Sequence, residues 1–126
     1  MQPSSGDSTL TALLAQQRAL QERAQTMGDR VEDALAMGAA LLAFAAREDQ
    51  AFSALTPLLD PAARQELAAE HEEISEDLGL LDWLLRTTPD SPDIAVLTAS
   101  LLRRMRQHID RDGRLLARAA GLSARP

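Results

Sequence analysis

The chain has two histidines, His71 and His108, and both interrupt stripes of apolar residues at helical spacing. His71 stands between Leu67 and Ile74 in the series 67, 71, 74, 78, 81, 85. His108 and Asp112 follow Leu97, Leu101 and Met105 in the series 97, 101, 105, 108, 112, 115, and lie one helical turn apart on one face. Glu48 sits between Phe44 and Phe52, and Gln17 between Leu13 and Leu20. A carboxylate or imidazole on a core stripe is costly unless it is paired, hydrogen-bonded or bound to a cation. With no cysteine in the chain, thiolate metal sites, iron-sulfur clusters, disulfides and cysteine nucleophiles are excluded. Imidazole and carboxylate donors without sulfur suit iron(II), manganese or zinc rather than copper(I). A closed hydrogen-bond network is the competing use of the same residues.

The elements that must position these residues are helices. No segment alternates with period two, whereas apolar residues step by three and four along most of the chain. Residues 1–8 read as a loose polar arm, with Ser8 as a helix N-cap. The first helix follows on Leu10, Leu13, Leu20, Ala24 and Met27, and Gly28-Asp29 punctuates it. A second helix is expected over residues 30–55, with Val31, Leu35, Leu41, Phe44, Phe52 and Leu55 inward and Pro57 as its stop. Asp60-Pro61 is a cap followed by proline at the first helical position, and this third helix ends near Arg86. The loop from Thr87 to Asp93 leads to a fourth helix that begins near Pro92 and ends at Gly121. Four helices with short connections predict an all-α, up-down-up-down four-helix bundle over residues 9–120, with residues 121–126 as a tail.

Height along such a bundle is a second constraint. Gln17 and His71 lie about nine to ten residues from the starts of their helices. Glu48, His108 and Asp112 lie about eight to twelve from the ends of theirs. At ~1.5 Å per residue all five fall ~12 to 18 Å from one end of the bundle, in a single layer with Phe44 and Phe52 as its shield.

The segments that carry this layer are Gln17-Arg18-Ala19-Leu20, Phe44-Ala45-Ala46-Arg47-Glu48, Glu70-His71-Glu72 and His108-Ile109-Asp110-Arg111-Asp112. They resemble the hemerythrin or HHE cation-binding family, over about residues 10–120. Its members are four-helix bundles with His on the first helix, His-x-x-x-Glu on the second, His commonly preceded by Glu on the third, and His-x-x-x-Glu or Asp on the fourth. The family's first-helix His falls on Gln17 and its second-helix His on Phe44. What carries over is His71, His108, Glu48 and Asp112. The resemblance implies one metal rather than a di-iron pair, iron first, with zinc or manganese as substitutes, and a water or small ligand on the side of the first helix. A vestigial site with no metal is the alternative. Reversible oxygen transport by a five-histidine centre cannot be built from two histidines.

Composition narrows the rest. The 126 residues, 45% hydrophobic and 25% charged, make one domain. The longest charge-free stretch, residues 34–46, is short of the ~20 that cross a bilayer, and no secretory signal opens the chain, so a cytoplasmic location and no membrane partner are expected. A net charge of −6 opposes nucleic acid. The arginines at 103, 104, 106, 111, 114 and 118 are expected to form solvated ion pairs with Glu66, Glu70, Glu72, Glu73, Glu76 and Asp77, and Trp83 to pack near the end of its helix. All 13 basic residues are arginine, a coding bias expected of a GC-rich bacterial genome. Ala68 and Met105, three residues before the histidines, break the Glu-x-x-His pattern of ferritin-like oxidases, and Ser75 breaks His-Glu-x-x-His. Neither a phosphate-binding glycine loop nor a Ser-His-Asp grouping is present, so hydrolase and kinase chemistry lack a carrier. The function expected is metal binding by a monomer or weak homodimer, in the sensing or handling of iron, oxygen, nitric oxide or peroxide. A metal-free helical interaction module is the rival.

Overall fold

A computed structural model describes residues 5–51 and 60–124. Its four helices are α1 (Ser5–Thr26), α2 (Val31–Gln50), α3 (Pro61–Thr87) and α4 (Asp93–Ala124), and the described residues contain no strand. They pack as a helical bundle in which α2 and α4 each touch the other three helices, while α1 and α3 do not meet.

In three of the touching pairs, α1 with α4, α3 with α4 and α2 with α3, the registers run in opposite senses. Gln17 meets Ile109 whereas Ala24 meets Arg106, and Glu70 meets Arg111 whereas Asp77 meets Arg104. Between α2 and α3, Glu48 faces His71 and Gly38 faces Leu78. A Cβ at Gly38 would fall 2.5 Å from a methyl of Leu78, so the missing side chain lets α2 and α3 close on each other.

The apolar stripes form one core. Leu10, Leu13 and Leu20 meet Met37, Leu41 and Phe44, Ile74 and Leu81, and Leu101, Met105 and Leu116, all buried. Ala34, Leu102 and Ile109 are also in it, a broader face than a single stripe of every third or fourth residue predicts.

Asp60 caps α3 as its sequence implies, its side chain accepting from the Ala62 N–H at 3.4 Å with Pro61 in the first turn. Three boundaries differ from expectation. α1 already begins at Ser5, so Ser8 lies inside the helix rather than at its cap. α2 ends at Gln50, before Phe52, Leu55 and Pro57, which lie outside the described residues. α4 continues through Gly121 to Ala124, because one glycine costs a helix only ~1 kcal/mol and does not break it. No helix among the described residues is long and apolar enough to cross a membrane.

Candidate metal centre

All four helices send a polar residue into one layer. Gln17, Glu48, His108 and Asp112 are each at most 4% exposed, and His71 is half-buried. The imidazoles of His71 and His108 meet edge to face with ring centres 4.5 Å apart. His71 Nε2 stands 4.0 Å from Glu48 Oε1. Glu48 is in turn hydrogen-bonded to Asp112, so the four residues form a continuous cluster across α2, α3 and α4.

Burial sets the charge state of the cluster. Desolvation, followed by the charge and hydrogen bond of Asp112, pushes the Glu48 carboxyl up to about 10, so at neutral pH it carries a proton and donates it to Asp112. The Asp112 carboxyl is raised by the same desolvation, against the bond from Glu48 and the nearby His108, which favour its ionised form. Desolvation and the neighbouring His108 lower His71 to about 4, leaving a neutral imidazole with a free lone pair.

His108 is oriented from outside the layer. Its Nδ1–H donates to the Glu70 carboxylate of α3, whose other oxygen accepts from Arg111. Arg111 also pairs with Glu66. A carboxylate on Nδ1 fixes the tautomer whose Nε2 is the free donor atom, the arrangement that commonly supports a metal-ligating histidine. Sequence reading placed Glu70 among solvated ion-pairing residues. The ion pairs Arg104–Asp77, Arg111–Glu66 and Arg111–Glu70 do form, and Glu70 in addition reaches inward to His108. The signal for it was its place just before His71.

Gln17 is buried at the same level, yet its amide serves the helix contact. Its Nε2–H donates to the Ile109 carbonyl at 2.5 Å. Gly113, next to Asp112, makes that approach possible, since a Cβ there would fall 2.9 Å from the amide nitrogen and oxygen of Gln17 and closer still to Gln21 Nε2. The side of the first helix is therefore filled. The histidines instead border cavities elsewhere, His108 one of about 360 Å³ between α3 and α4, and His71 one of about 510 Å³ between α2 and α3. Phe44 is buried one turn before Glu48, and Phe52, expected to complete the shield, lies outside the described residues.

Three buried atoms of the cluster have no hydrogen-bond partner, namely Glu48 Oε1, His71 Nε2 and Asp112 Oδ1. They come from three helices and comprise one nitrogen and two oxygens, a donor set suited to iron, manganese or zinc. Two ligands on one ion, each bonded at about 2.0–2.2 Å, stand at most ~4.4 Å apart, when the two bonds are in line. The 4.0 Å between His71 Nε2 and Glu48 Oε1 is inside that limit. Among the described residues no three His, Asp or Glu are drawn together closely enough to cage an ion, and the two carboxyl groups are closed on each other by the Glu48 proton. Donor chemistry fits a metal, and the proton occupies the place of its charge.

Neither a family model, nor a curated protein, nor a solved structure matches the chain.

Proposed function

We propose that this protein is a hemerythrin-like metal-binding bundle that holds one ion, iron in the first instance, between His71 and His108 and the carboxylates of Glu48 and Asp112. The observation that carries this reading is the set of three unpartnered buried donor atoms, Glu48 Oε1, His71 Nε2 and Asp112 Oδ1. Each such atom costs about 1–3 kcal/mol when buried without a partner, a cost that a shared cation removes at once. The helices supporting the site run in alternating directions, an order favoured by the opposed registers of the contacting pairs. When bound, a redox-active ion would supply a coordination position for a diatomic or peroxidic ligand, and the role proposed is sensing or handling such ligands or iron itself. The chain's own part is to hold His71 as a neutral imidazole, to fix His108 through Glu70, and to surrender the Glu48 proton as the ion enters.

The rival is a metal-free bundle that binds another protein. It is favoured by the closed Glu48–Asp112 pair and by the exposed apolar side chains of Leu80, Trp83 and Val96. Trp83, expected to pack near the end of its helix, is 53% exposed.

Anaerobic calorimetric titration with iron(II), and with zinc(II) as a redox-inert substitute, separates the two. Saturable uptake accompanied by proton release, measured in buffers of different ionisation enthalpy, supports the metal centre. Absence of heat and of proton release with both ions supports the interaction module.

A further inference from the structure

Ten residues before His108 on α4, some 15 Å along the helix, Thr98 borders a third and larger cavity. Its volume is about 790 Å³, within the size range of small-molecule sites. It lies between the start of α2 and one face of α4, with Val31, Ala99 and Leu102 as apolar walls. Thr98 is 3% exposed, and its hydroxyl has no hydrogen-bond partner although a helical threonine could back-bond to the preceding turn. A buried hydroxyl left in that state on a cavity wall is suited to a ligand oxygen.

The rim of the cavity is charged. Arg30, Arg103 and Arg106 stand there with Asp29 and Glu32, a net charge of +1 on a chain whose total is −6. Only Arg106 is engaged, with Asp29 at 3.5 Å, while Arg30 and Arg103 have no ion-pair partner among the described residues. Unpaired guanidinium groups beside an apolar recess match a planar carboxylate, which they can bind in a bidentate manner. One surplus positive charge favours a monoanion over a phosphate dianion.

We propose that this cavity is a binding site for a small monoanionic carboxylate with an apolar body and a second oxygen, the carboxylate meeting Arg103 and Arg30 and the second oxygen meeting the Thr98 hydroxyl. The site is separate from the histidine cluster and does not depend on a metal.

Three naphthalene compounds test it by nitrogen-15 NMR titration of the full chain: 3-hydroxy-2-naphthoate, which carries both groups, 2-naphthoate, which lacks the hydroxyl, and 2-naphthol, which lacks the carboxylate. Saturable shifts at residues 29–32 and 95–106 with the first compound are expected, with 2-naphthol at least about tenfold weaker. Arg103→Ala should weaken the first compound roughly tenfold. Thr98→Val should weaken it about fivefold while leaving 2-naphthoate unchanged. Thr98→Val also removes an unpartnered hydroxyl, so it is expected to melt no lower than the parent chain, and a purely structural threonine would change melting without this selective loss. No saturable shift, shifts outside these residues, equal binding of 2-naphthol, or equal losses of both naphthoates in Thr98→Val would overturn the proposal.

Discussion

His108 and Glu70, 38 positions apart in the chain, are joined through the imidazole Nδ1–H and the carboxylate. That bond ties the site's most buried imidazole to α3 and, through Arg111, back to α4 itself. The orientation of His108 is therefore set by two helices at once, before any ligand is present.

Glu70→Gln keeps the side-chain length but replaces a carboxylate oxygen with a weaker acceptor. If Glu70 positions His108 for a metal, affinity for zinc(II) should fall about 10- to 100-fold. Calorimetry of the variant, with circular dichroism to verify that helix content is retained, checks this. Unchanged affinity would reduce Glu70 to an ordinary surface partner of Arg111.

Metal-free protein should lose stability as pH rises above the neutral range. Glu48 is raised from 4.5 to about 10, so the folded chain keeps a proton that the unfolded chain releases, and stability declines between those values. His71 is lowered from 6.5 to about 4, so the unfolded chain binds a proton that the folded one refuses, and stability declines as pH falls through that interval. Where the two intervals overlap the slopes oppose, and above pH 6.5 the carboxyl slope of roughly 1 kcal/mol per pH unit, to which the raised Asp112 adds in the same direction, is no longer opposed by His71. Chemical denaturation from pH 5 to pH 9 measures it, and Glu48→Gln, which cannot ionise, should flatten the alkaline limb.

Gly113→Ala should destabilise the fold by about 1 kcal/mol net, because the added methyl displaces the Gln17 amide from the Ile109 carbonyl while the alanine regains about 1 kcal/mol of helix propensity. Gln17→Ala, which removes the bond to the Ile109 carbonyl, should cost ~1–3 kcal/mol and leave metal affinity nearly unchanged. Thermal melts paired with zinc titrations separate these effects. A large loss of affinity in Gln17→Ala would place that amide on the ion.

The helices and the buried layer were legible because burial leaves a periodic trace. Leu67, Ile74 and Leu81 mark a face of α3, and the polar residue that interrupts it, His71, is found where that face points. Helix ends were less legible where several residues could do the same work. Ser5, Gly6, Asp7 and Ser8 are all of cap-forming type, and with no apolar residue among them or at Thr9 the pattern cannot choose. Glu70 pairs with Arg111 as expected, and its second contact, to His108, was missed for another reason. Periodicity reports where a Cα sits, whereas a long side chain at the edge of a face can reach across to the next helix, as Glu70 does to His108. Gly113 was hidden because a missing side chain leaves no mark on a hydrophobic stripe.

Metal content per chain, determined by elemental analysis after anaerobic loading with iron(II) and removal of free ion, tests the central claim most directly. One ion per chain in the parent protein and none in His108→Ala is the predicted result. Two ions per chain, equal retention by His108→Ala, or no retention in the parent protein would contradict it.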